Sequence, residues 1–306
     1  MVTGPEVALR NQRTRLPPSK IQSWTMATGS HGEEFELYQN YTKNLRHPDE
    51  LIFGGNHAKQ GQWPWQAFLI MKSPSGGNFI CGGSLISKKH VLTAAHCTEN
   101  LESGIVLLGA VAMKNAARTA GVQIKKIKSF VKEPHYDGEG SVYDDLAVIA
   151  LESEAEITDV VKLVKILKDD SKIITTPKNT VSGFGTYAFE NGEEPITSET
   201  LRYVEVDHID HDWCTKRWAR ASGNQVKIIN TQICAGSKGK GSGPGDSGGP
   251  LQVNVDGEWI QIGLVSFGVK GYPQIMDQSS FPSVYTRVTL YCDFVEEVTD
   301  GDFKCL

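Results

Sequence analysis

The sequence predicts an all-β fold of antiparallel strands, arranged as a sandwich or a barrel. Short apolar segments recur between turns, 31 glycines and 13 prolines suit frequent chain reversal, and no helix-length crossover separates successive strands. Strands are expected at residues 66–71, 79–86, 104–108, 122–130, 146–151, 180–184, 201–206 and 259–267, each an apolar run with Gly, Pro, Asn or Asp between it and its neighbours. Helix is expected at two places only. One surrounds residues 209–218, and the other begins near Leu290 and carries Phe294, Val295 and Val298 at helical spacing.

At 306 residues the chain exceeds one average domain, yet all-β proteins reach this size as one unit or with an added N-terminal segment. Residues 1–50 are polar, contain Pro17-Pro18 and show no sustained period, as a weakly ordered extension would. Packing is expected to begin at Leu51. A net charge of -5 gives no basic footprint for nucleic acid. No apolar run is long enough to span a membrane.

Cys81, Cys97, Cys214, Cys234, Cys292 and Cys305 form an even set without CxxC spacing, which favours disulfides over a zinc or thioredoxin-like site. Disulfides imply an oxidising compartment, but residues 1–30 lack the apolar stretch of a signal peptide. The expectation is a secreted protein whose precursor starts upstream of Met1. An export route not readable here, or reduced cysteines, are the alternatives. The sequon Asn40-Tyr41-Thr42 has meaning only on export.

The chemistry centres on Gly245-Asp246-Ser247-Gly248-Gly249-Pro250, where one hydroxyl stands among glycines that let the backbone approach a substrate carbonyl. A serine is a weak nucleophile, so it needs a base and donors for the oxyanion it creates. His96, in Leu92-Thr93-Ala94-Ala95-His96-Cys97, lies where an apolar strand end meets a cysteine. Asp145 stands directly before the apolar run Leu146-Ala147-Val148-Ile149-Ala150-Leu151. Taken singly, His96 reads as a structural or exposed histidine and Asp145 as a strand-end aspartate.

Together, Thr-Ala-Ala-His-Cys, Asp-Leu-Ala-Val and Gly-Asp-Ser-Gly-Gly-Pro, in the order His, Asp, Ser, resemble the chymotrypsin-like (trypsin-like) serine endopeptidases. The likeness runs from Ile52 to about Thr299 and includes Gln62-Trp63-Pro64-Trp65-Gln66, Cys81-Gly82-Gly83-Ser84-Leu85, Ser182-Gly183-Phe184-Gly185, Ile233-Cys234-Ala235-Gly236 and Val284-Tyr285-Thr286-Arg287-Val288. It implies two packed six-stranded antiparallel Greek-key barrels with a C-terminal helix, residues 52–306 forming the protease domain and 1–51 a pro-segment or N-terminal extension. It implies further that Ser247 attacks, His96 takes and returns the proton, Asp145 orients the imidazole, and the N–H groups of Gly245 and Ser247 form the oxyanion hole. Asp144 is the rival carboxylate; Asp145 is preferred because it directly precedes the Leu-Ala pair. No metal or cofactor is implied.

By the same resemblance, cleavage before Ile52-Phe53-Gly54-Gly55 would create an ammonium that pairs with Asp246, making the chain a zymogen. Leu51 stands before the cut where Arg or Lys is usual, which favours an activator that cleaves after leucine. An uncut extension is the alternative. The primary specificity position falls at Gly241, six residues before Ser247, with walls at Ser266-Phe267-Gly268 and at Ser283. No anion is available for a substrate Arg or Lys, so an apolar P1 residue is expected: Phe, Tyr, Leu or Met. Ser283 leaves a shorter, elastase-like pocket open as an alternative.

The family pattern also implies bridges Cys81–Cys97 and Cys214–Cys234. Cys292 and Cys305 remain to pair if the chain reverses after the terminal helix. Expected partners are protein or peptide substrates, an activating protease and protein inhibitors. The reading from another class is a catalytically silent homologue acting as a binding or regulatory module.

Three other patterns are set aside. The glycine-rich run 235–242 lacks the P-loop register. His208, His211 and Asp212 read as solvated polar residues, and residues 152–156 as an acidic turn.

Overall fold

The structure is a computed structural model that describes residues 53–138, 142–190, 194–269 and 271–306. The expectations for Leu51, Ile52 and the Asn40 sequon lie outside the described residues. In chain order the strands are β1 (Asn56–His57), β2 (Gln66–Lys72), β3 (Asn78–Leu85), β4 (His90–Thr93), β5 (Ser103–Leu108), β6 (Gln123–Lys132), β7 (Ala147–Leu151) and β8 (Lys178–Gly183). They continue with β9 (Thr186–Glu190), β10 (Glu194–Thr197), β11 (Arg202–Ile209), β12 (Gln232–Ala235), β13 (Pro250–Val255), β14 (Glu258–Phe267) and β15 (Ser283–Arg287). Two α-helices are described, α1 (His211–Ala221) and α2 (Cys292–Val298). Asp210 caps α1 by accepting the N–H of Trp213 at 2.9 Å.

Strands β2, β3, β4, β7, β6 and β5 close into an antiparallel barrel, with β5 returning to β2. Strands β8, β11, β12, β15, β14 and β13 close a second, and β1 is added to its β11. Both barrels are six-stranded, the architecture that the resemblance implies.

Each strand expected from the sequence is present, with ends within two residues except for β11, which runs three residues further, to Ile209. Seven strands are unforeseen, β1, β4, β9, β10, β12, β13 and β15, and each has only two to six residues. Their own sequences carry little periodic signal, and their place is set by neighbours: β12 is held between β11 and β15.

Residues 66–71 are apolar almost throughout because both faces of β2 are buried. Ala67, Leu69 and Met71 join Val91, Val106 and Ile149 in the first barrel. Phe68 and Ile70, on the opposite face, pack with Leu92, Ile105, Phe184 and Leu264, residues drawn from both barrels. The second barrel is filled by Val181, Val204, Ile233, Leu251, Val253 and Tyr285.

A polar seam runs through the apolar layer between the barrels. Ser84 donates to Gln261 Oε1 at 2.7 Å, Trp65 Nε1 to Gln252 Oε1 at 2.8 Å, and Ser182 to Gln66 Oε1 at 2.7 Å. All six residues are buried. Because such groups lose free energy when left unpaired, the seam favours one mutual placement of the barrels.

The first and last described segments cross over. The N-terminal strand β1 lies on the second barrel, whereas the C-terminal tail brings Asp302 to 3.9 Å from His90 on β4 of the first. Leu306 exchanges backbone hydrogen bonds with Ile166 and Lys168 in the segment that joins the barrels. Disulfides Cys81–Cys97, Cys214–Cys234 and Cys292–Cys305 are formed, the last with its Cα atoms 5.9 Å apart.

Candidate active site

His96 lies on the 3-10 turn Ala95–Thr98 that follows β4, tied to β3 through Cys97 and Cys81. Asp145 lies just before β7, the neighbour of β4 in the barrel, so the ladder sets the two residues side by side. Asp145 Oδ1 accepts the backbone N–H of His96 at 2.9 Å, and Oδ2 meets His96 Nδ1 at 2.8 Å. From the second barrel, Ser266 donates to the same Oδ2 at 2.6 Å and Thr286 donates to the Asp145 carbonyl at 2.9 Å.

Burial works most strongly against ionising Asp145. The bond and charge of His96, the Ser266 hydroxyl and the His96 N–H nonetheless hold its carboxyl below the usual aspartate range. Asp144, by contrast, takes a left-handed conformation (φ 52°) and accepts the Tyr291 hydroxyl at 2.7 Å. The structure thus turns Asp145, not its neighbour, toward His96.

Ser247 belongs to the loop before β13 in the second barrel and lines the same cleft as His96 and Asp145. Close packing of glycines brings the loop to the first barrel. A Cβ on Gly82 would lie 2.9 Å from Gly249 Cα, and one on Gly248 only 2.2 Å from Thr93 Oγ1. The Ser247 carbonyl also accepts the Gly82 N–H at 2.7 Å. Gly245 (φ 94°) and Gly248 (φ 75°) take left-handed conformations on either side of the serine. Among the described residues, no protein acceptor takes the N–H of Gly245 or of Ser247.

Asp246 points away from the cleft and is fully buried. Its carboxylate accepts the N–H groups of Gly185 at 2.7 Å and Gly243 at 2.9 Å. It fills space left by two glycines: a Cβ on Gly183 or Gly185 would lie 2.1 Å or 2.5 Å from it. Burial pushes its pKa up to about 6 against the lowering effect of those two N–H groups. Among the described residues, no cation pairs with it. Phe53, next to Ile52 in sequence, is itself fully buried, its ring 3.0 Å from where a Gly243 Cβ would be.

The cleft has a volume of about 490 Å3. Ser266, Phe267, Gly268 and Ser283 all line it, but the Ser266 hydroxyl is committed to Asp145. Gly241 lies beneath the carboxamide of Gln278, which forms part of the lining in its place. Gln278 escapes the sequence reading because Asp277-Gln278-Ser279-Ser280 looks like any polar loop. The glycine at 241, where a specificity side chain is expected, is the one signal for a substitute. Glu99 and Tyr136 are also unforeseen lining residues, joined by a hydrogen bond of 2.8 Å from the phenol. Burial foremost, then that bond, holds the phenol protonated.

Helix α1 braces the cleft wall. Trp218 stacks edge-on against Phe267 with centroids 5.0 Å apart and donates to the Pro282 carbonyl at 3.1 Å, while Arg217 donates to the Ser280 carbonyl at 2.9 Å. The arrangement offers an imidazole polarised by a buried carboxylate, a hydroxyl in the same cleft, and N–H groups free to receive an anion. Compared with known protein families, the sequence matches the model described as Trypsin over residues 52–295.

Proposed function

The chain belongs to the trypsin family of serine proteases, and from that premise we propose that it is an endopeptidase working through an acyl-enzyme on Ser247. His96 acts as general base and then general acid, while Asp145 fixes its tautomer and stabilises the imidazolium. The N–H groups of Gly245 and Ser247 receive the oxyanion. The observation that carries this reading is the double bond of Asp145 to His96 in a cleft shared with Ser247.

In this proposal the protein is made as a zymogen. Cleavage after Leu51 frees the Ile52 ammonium, which pairs with Asp246 and completes the oxyanion loop. The support is a buried carboxylate for which the described residues provide no cation, beside a buried Phe53. The P1 preference is apolar, for aromatic residues or Leu and Met, since Val265, Ile275 and Phe281 line the cleft and, among the described residues, no buried anion lines it apart from Asp145. Three disulfides suit an extracellular protein. Protein substrates follow from the family; an activating protease and protein inhibitors are further proposed partners.

An organophosphonate tests the reading. After cleavage before Ile52, Ser247 should be labelled stoichiometrically and peptide hydrolysis lost in parallel, with Ser247→Ala unlabelled. An unlabelled serine in cleaved, folded protein would instead mark a silent homologue that binds without hydrolysing.

A further inference from the structure

The side chain of Gln278 occupies the place of a missing one. A Cβ on Gly241 would lie 1.8 Å from Gln278 Oε1, and a Cβ on Gly236 would lie 2.5 Å from Gln278 Cβ. The glutamine is therefore threaded between two glycines, and only 1% of it is exposed. Both ends of its carboxamide are held: Nε2 donates to the Ser242 carbonyl at 2.6 Å, and Oε1 accepts the Ser283 hydroxyl at 2.8 Å. The Ser242 hydroxyl in turn donates to Ser283 at 3.1 Å. The loop that carries it is anchored two residues earlier, where the Gly239 N–H donates to the Met276 carbonyl at 2.7 Å.

This set lines the cleft together with the apolar Val265, Ile275 and Phe281. By donor and acceptor inventory, one Nε2 hydrogen and one Oε1 lone pair of Gln278 remain beyond the two bonds above, and two hydroxyls stand beside them. The end of the pocket is thus neutral and able both to donate and to accept, behind apolar walls.

Resting on the protease reading above, we infer that Gln278 determines specificity in this chain in place of the residue at 241, and that it selects a P1 tyrosine over a P1 phenylalanine. The phenol hydroxyl is itself both donor and acceptor, so it can join the carboxamide and the serine hydroxyls without introducing charge. A P1 Arg or Lys would bring an unpaired cation to a neutral floor. A P1 Phe would fill the apolar walls but leave the remaining amide hydrogen without a partner.

Matched peptides that differ only in Tyr or Phe at P1 provide the test, in two arms. Cleaved enzyme should show a kcat/KM ratio of about 3- to 10-fold in favour of Tyr, the range of one neutral hydrogen bond. In Gln278→Met the ratio should fall to about one. The second arm measures equilibrium binding of peptides ending in Tyr or Phe to cleaved Ser247→Ala protein, where the same preference should appear in Kd. If Phe binds as tightly as Tyr, or if Gln278→Met keeps the full Tyr advantage, the inference is overturned. A Tyr preference in binding without any turnover by the cleaved enzyme supports Gln278 as the selector and counts against the protease reading alone.

Discussion

Asp145 grips His96 at two points, one oxygen on the backbone N–H at 2.9 Å and the other on Nδ1 at 2.8 Å. The carboxylate therefore fixes both the turn and the ring. In Asp145→Asn one grip can persist through the amide oxygen, but an amide N–H then faces Nδ1 and drives the ring proton to Nε2. We expect kcat to fall about 10^4-fold with little change in KM. Steady-state kinetics check this; a fall below tenfold would show that the carboxylate is structural only.

Stability should carry a pH signature of Asp246. Its folded pKa, pushed up to about 6, lies above the roughly 3.9 of an unfolded aspartate. Its contribution is thus fully present below about pH 4 and is lost as pH rises through about 6, a change on the order of 3 kcal/mol in the uncleaved chain. Urea unfolding of wild type and Asp246→Asn across pH 4 to 7.5 isolates this contribution. The difference between them should follow this window before cleavage and shrink after it; parallel profiles before cleavage would refute the assignment.

Ser84 and Gln261 join the barrels through a buried bond of 2.7 Å. Either Ser84→Ala or Gln261→Leu leaves one buried group without its partner and should cost about 1–3 kcal/mol. The double variant should cost less than the sum. Denaturant midpoints for the four proteins decide it, and strict additivity would mean the pair is not coupled.

Gly248 combines a left-handed backbone with a Cβ position 2.2 Å from Thr93 Oγ1 and 2.7 Å from the Gly82 carbonyl. Gly248→Ala must push the serine loop off the first barrel, and a shift of about 1 Å can cost 100-fold in rate. Gly257, with φ 90° but nothing within 4 Å of its Cβ position, is the control for backbone strain alone. We expect kcat/KM to drop about 100-fold or more for Gly248→Ala and to stay within about threefold for Gly257→Ala. Equal losses would assign the effect to backbone conformation and not to barrel contact.

What was legible in the sequence follows from how locally each feature is encoded. The strand at 66–71 announces itself by an unbroken apolar run, and His96, Asp145 and Ser247 stand in short ordered motifs whose chemistry needs few residues. The second barrel is harder to read, because β12 and β15 are only four and five residues long and exist by pairing with each other and with β11 and β14. The role of Ser266 is hidden for another reason: its bond to Asp145 spans 121 positions. Gln278 lies 37 positions after Gly241, and nothing in its own loop points to the gap it fills.

The crossing of β1 and the C-terminal tail has a consequence for cooperativity. Two barrels of this kind could behave as independent folding units, each losing structure at its own temperature. Here β1 must leave β11, and Asp302 of the tail must leave His90, before the halves can part. Because each half holds a segment that belongs by sequence to the other, melting should be a single event, with hydrolysis vanishing at the same midpoint as the folded β-signal.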